Sequence, residues 1–66
     1  MIGDNIKFYR KKNQLTQDDI AEACNVTRQA VSKWENGESL PTVDNLYALS
    51  RLLHTSVDDI LIGEKE

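Results

Sequence analysis

The stretch QDDIAEACNVTRQAVSKWEN, running from Gln17 to Asn36, decides how this chain folds. Ile20, Ala21 and Cys24 fall at helical spacing in its first half, and Val31 and Trp34 do so in its second, with Val26 between them. Asn25 separates the halves, and asparagine tolerates the left-handed backbone that turns a chain sharply. Two short helices crossing at a steep angle need a very small side chain where they meet, which Ala21 supplies, and apolar residues beneath to seal the pair onto a core. Arg28, Gln29, Ser32 and Lys33 are left facing outward on the second helix.

Working outward from this pair, the remaining signals are helical too. A first helix fits Ile2 to about Lys12, with Ile2, Ile6 and Tyr9 on one stripe, and it ends at Asn13 or Gln14. Thr16 opens the second helix as its N-cap, and Asp19, three residues on, can reach back in a short capping box. Thr27 starts the third helix in the same way and Gly37 stops it. Positions 38–41 form a loop, after which Thr42 caps a fourth helix carrying Leu46, Leu49, Leu52 and Leu53. Ser56 begins a fifth, with Asp59 completing another box and Val57, Ile60 and Leu61 turned inward. Gly63 ends it, leaving positions 64–66 as a frayed tail. The expectation is one all-α domain over residues 1–63, a compact bundle of five helices.

Composition narrows the class. A chain of 66 residues forms one domain that buries about 60% of its unfolded surface, with no room for an enzyme cleft. No pair of titratable side chains is placed to share a proton, so an enzyme is not expected. One cysteine and one histidine allow no internal disulfide and no zinc cluster of the usual spacing, and no cofactor is expected. No apolar run approaches the roughly 20 residues of a membrane span, and no secretory signal opens the chain. A soluble, cytoplasmic protein with no membrane partner follows.

The formal charge of -3 has the wrong sign for a ligand made of phosphates. Its distribution is uneven, however. Positions 1–37 carry six basic and five acidic residues, whereas positions 38–66 carry two basic and six acidic ones. The plain reading is a solvated surface; the functional one is a basic face for an anionic polymer and an acidic face elsewhere.

Long donors and a bidentate amide at the start of an exposed helix suit the reading of base edges in the DNA major groove. The run LTQDDIAEACNVTRQAVSKWENGESLP resembles the Cro and CI repressor type of helix-turn-helix, the XRE family. The similarity reaches from IGDNIKFYRKK to LYALSRLLHTSVDDIL, nearly the whole chain. It implies a lambda-repressor-like DNA-binding domain of five helices, belonging to a bacterial or phage transcriptional regulator. Such a regulator binds double-stranded operator DNA as a two-fold homodimer. Base reading then falls on Arg28, Gln29 and Lys33, with Ser32 on the same outward face. Phosphate contacts fall on Gln17 and Asn36, and Thr27 touches a phosphate or a thymine methyl. Arg10 has two readings: an ion pair with Glu35 beneath the DNA surface, or a direct phosphate contact.

Three positions depart from the family pattern. Asn25 stands where glycine is usual in the turn, and His54 at another frequent glycine, where it is expected to act as a C-terminal cap favoured by the helix dipole. The loop from Glu38 lacks the basic residues that some members direct to phosphate. Cys24 and Trp34 read as core rather than as a redox sensor and a stacking platform. Phe8, Tyr47 and Ile62 leave apolar surface for a partner. Leu61 and Ile62 on the fifth helix are the expected dimer contact, although Leu61 has an equal claim to the core. The leading reading is a repressor of transcription. The alternative is an antitoxin-like interaction module whose DNA binding is secondary to a protein partner.

Overall fold

A computed structural model of the chain describes residues 1–63; the expected frayed tail at 64–66 lies outside them. Five helices follow one another: α1 (Ile2–Lys12), α2 (Gln17–Cys24), α3 (Arg28–Asn36), α4 (Val43–Leu52) and α5 (Val57–Ile62). The described residues contain no strand.

The caps explain where the helices start. Thr16, Thr27, Thr42 and Ser56 all hold extended backbone, and each hydroxyl accepts from the amide three residues on. That satisfies one of the four orphan N–H groups at each helix start. The reciprocal bond of a full capping box forms at Thr16, whose amide donates to Asp19 Oδ2 at 2.8 Å. It does not form at Ser56 as expected, because Asp59 Oδ2 instead accepts from the Thr55 hydroxyl at 2.9 Å.

Three non-glycine residues take positive φ, and each sits just past a helix: Gln14 (59°), Asn25 (58°) and His54 (56°). At the end of α1, Gln14 rather than Asn13 carries the left-handed backbone; Asn13 stays at φ -93°. Its side chain does other work there, donating to Tyr9 O at 2.7 Å and Leu53 O at 3.0 Å and so tying α1 to the end of α4. The expected cap at His54 also moves by one residue, since Leu53 caps α4.

The core gathers one residue or more from every helix: Ile6 and Tyr9, Ile20 and Ala21, Val31 and Trp34, Leu49 with Leu53, and Ile60. Leu61, expected to share the inward face of α5, is 42% exposed. A six-residue helix presents less than two turns, and one stripe suffices for Ile60 and the half-buried Val57. Cys24 is half-buried beside the core, and burial pushes its thiol pKa up. α1 packs on α3 and α5, α2 on α3 and α4, and α4 on α5.

Two close fits hold α1 in place. Asn5, almost wholly buried, donates to Ile60 O at 2.7 Å. Gly3 lies so near the end of α3 that a Cβ there would sit 2.2 Å from the Trp34 carbonyl oxygen. The resulting body measures 30 × 22 × 19 Å.

Candidate nucleic-acid interface

The joint between α2 and α3 is built as its sequence implies. Asn25 takes φ 58° and ψ 46°, and the Val26 amide then reaches back to Ala21 O at 2.9 Å. Ala21 is 6% exposed, and its small side chain lets the two helices approach. Val31, Trp34 and Glu35 turn the inner side of α3 into the protein. Arg28, Gln29, Lys33 and Asn36 are exposed, and Ser32 is half-buried. Gln29, Lys33 and Asn36 follow one another at helical spacing, with Arg28 and Ser32 alongside, so one face collects the donors.

Beneath that face lies a polar junction of three helices. Arg10 Nε on α1 donates to Glu35 Oε2 at 2.6 Å and Nη2 to Oε1 at 3.1 Å, while Nη1 donates to Leu15 O at 2.9 Å. Gln17 Nε2, at the start of α2, donates to Glu35 Oε1 at 3.0 Å. The Arg10 and Glu35 side chains are 12% and 3% exposed. Of the two readings of Arg10, the ion pair is therefore the one found. These bonds engage three of the five guanidinium N–H donors and hold Arg10 in the junction. Desolvation largely cancels the attraction of such a pair, so its effect is to fix geometry more than to add stability.

In front of the junction is a notch of about 380 Å³ bordered by Leu15, Thr16, Gln17, Asp18 and Arg28 as well as Arg10. Arg28 Nε lies 3.9 Å from Asp18 Oδ1, with both side chains about two-thirds exposed (68% and 70%). An exposed pair at that distance is worth little and leaves Arg28 available. The Thr27 hydroxyl accepts from Ala30 N at 3.1 Å, which keeps its own proton for a further acceptor. Asn36 Nδ2 is 3.5 Å from Ser32 Oγ. Among the described residues no group of three His, Cys, Asp or Glu side chains could hold a metal. None of their helices is long and apolar enough to cross a membrane.

A family model described as helix-turn-helix matches residues 6–60. The chain belongs to the helix-turn-helix family. It is similar to the transcriptional regulator DicA of Escherichia coli, with 42% identity over 65 residues, which cover 98% of this chain and 48% of DicA. Its fold matches the crystal structure of the P22 c2 repressor in complex with a synthetic operator, at a TM-score of 0.90 and 36% identity, covering 97% of each chain. It also matches SinR, described as a master regulator for biofilm formation, in complex with DNA, at a TM-score of 0.81 and 34% identity over 92% of this chain and 98% of that one. The chain spans about half of DicA and 30% of the full P22 repressor. Family and fold are those of Cro/CI-type regulators of transcription.

Within this helix-turn-helix domain, the outward set expected on α3 is found together on one face. Gln17 and Thr27 stand at the first residue of α2 and the cap of α3. Two contacts escaped the reading from sequence, the bond from Gln17 to Glu35 and the approach of Asp18 to Arg28. Both join residues more than nine positions apart, and no period or cap rule links such pairs.

Proposed function

We propose that this chain reads double-stranded DNA in a sequence-specific way, with α3 in the major groove, and that it represses transcription as a homodimer on a palindromic operator. The observation that carries the proposal is the exposed α3 face bearing Arg28, Gln29 and Lys33, backed by a buried side that fixes its angle. An arginine fork or a lysine matches guanine O6 and N7, and a glutamine amide matches adenine N6 and N7. G and A are therefore expected in each half-site. Ser32 sits at the edge of this face. Gln17, Thr27 and Asn36 hold the backbone phosphates.

One recognition helix reads only a few base pairs, and a two-fold pair reads two half-sites about 34 Å apart. Leu61 and Ile62, 42% and 66% exposed, offer apolar surface for that pairing. Residues 1–63 form the DNA-binding domain, and the protein works in the cytoplasm, without enzymatic activity. Selection of bound duplexes from a random library at near-physiological salt tests the reading. Enrichment of a palindrome with half-sites one helical turn apart is the expected result. Failure to enrich any sequence would overturn it in favour of an antitoxin-like module that binds a protein.

A further inference from the structure

Glu35 does more than balance Arg10. Its side chain is 3% exposed, yet its two oxygens collect donors from two other helices. Oε2 accepts from Arg10 Nε at 2.6 Å, and Oε1 accepts from Arg10 Nη2 at 3.1 Å and from Gln17 Nε2 at 3.0 Å. A carboxylate has about four acceptor sites, so both partners are held at once. Gln17 is the first residue of α2, at the rim of the notch that Thr16, Asp18 and Arg28 also border. A glutamine there, left to itself, samples many rotamers and must be ordered when a ligand arrives.

We infer that Glu35 is a positioning residue for Gln17: its buried carboxylate takes one N–H of the Gln17 amide and leaves the other, already ordered, for a DNA phosphate. The inference rests on the DNA reading proposed above. Two features make the arrangement suited to the task. A primary amide has two N–H donors, so the bond to Glu35 uses one without consuming the contact. Arg10, bonded to both carboxylate oxygens, neutralises a charge that would otherwise repel the phosphate above it. The end of α3 thereby sets the donor at the start of α2, and the phosphate clamp and the recognition helix move as one unit.

A double-mutant cycle on the selected duplex tests this. Gln17→Ala is expected to weaken binding about 3- to 10-fold in the wild-type background, the range set by ordering one side chain at an interface. In a Glu35→Gln background, where one acceptor oxygen replaces two and Arg10 competes for it, the same change is expected to cost less than about 2-fold. Equal losses in both backgrounds would overturn the role of Glu35. If Glu35→Gln does not fold, the NMR order parameter of the Gln17 side-chain amide in the free wild-type protein decides. A value above about 0.6 supports the inference, and one at or below about 0.6 overturns it. A wild-type chain that selects no duplex would remove the DNA reading itself, and this inference with it. A wild type that selects an operator but gives an additive cycle removes only the part assigned to Glu35.

Discussion

Gly3 and Gln14 show how single residues set the frame around the helix-turn-helix. Gly3 is buried inside α1, where glycine is otherwise a poor choice, because the Trp34 carbonyl leaves no space for a Cβ. Gly3→Ala is expected to cost about 1 to 3 kcal/mol, the usual penalty of overpacking, because the obstacle is backbone and cannot swing aside. Urea unfolding measures it, and a loss under about 0.5 kcal/mol would mean that α1 shifts freely on α3. Gln14 presents the opposite case, a side-chain-bearing residue held at φ 59°. Gln14→Gly removes that strain at some cost in chain entropy, so a thermal midpoint equal to or a few degrees above the wild type is expected. A clear drop in the midpoint would show that the Gln14 side chain contributes contacts of its own. Neither residue declares its role in the sequence. The apolar stripe of Ile2, Ile6 and Tyr9 predicts α1, but the distance from Gly3 to Trp34 exists only once α3 has docked.

The helices themselves were the most legible level, and the reason is local. Each of α2 to α5 starts at a Ser or Thr whose hydroxyl needs only an amide three residues on, and Asn25 and Gly37 turn the chain within one residue. Where a tertiary partner competes, the local rule loses: Thr55 draws Asp59 away from the box at Ser56, and Leu61 is left outside once Ile60 fills the α5 seam. The outward face of α3 followed from the same periodicity, whereas the link from Gln17 to Glu35 needed the fold. Thr27 and Thr42 make the same cap with hydroxyls equally placed, 3.1 and 3.2 Å from their amides. Thr27→Ala and Thr42→Ala should each lower stability by about 1 kcal/mol. Thr27→Ala alone should also weaken DNA binding measured well below the unfolding temperature, since of the two only Thr27 belongs to the proposed phosphate contacts. Equal affinities for the two variants would reduce Thr27 to a cap. Arg28→Ala is expected to lose about 1 to 3 kcal/mol of discrimination at one base pair of each half-site. A uniform loss over all sequences would reassign Arg28 to phosphate.

For the whole molecule, a net charge of -3 and the polyanionic partner proposed for it have to be reconciled. The proposed phosphate contacts are neutral groups, Gln17, Thr27 and Asn36, because Arg10 is committed to Glu35 and the loop from Glu38 carries no cation. Only Arg28 and Lys33 remain as cations on the α3 face, which is four in a dimer. Counterion release scales with the phosphates that cations neutralise, at about 0.9 per contact. A plot of log affinity against log salt should therefore fall with a slope no steeper than about -3.6, a loss of at most about 150-fold between 50 and 200 mM salt. Fluorescence anisotropy on the selected duplex across that range gives the slope. A value near -6 or steeper would require more cations at the backbone than α3 holds. Exposed Lys7, Lys11 and Lys12 of α1 would then be the next to replace. A shallow slope together with a selected palindrome would mean that this acidic chain gains its affinity from neutral hydrogen bonds and base contacts. Such a chain would keep its hold on DNA as salt rises, at the expense of fast electrostatic capture from a distance.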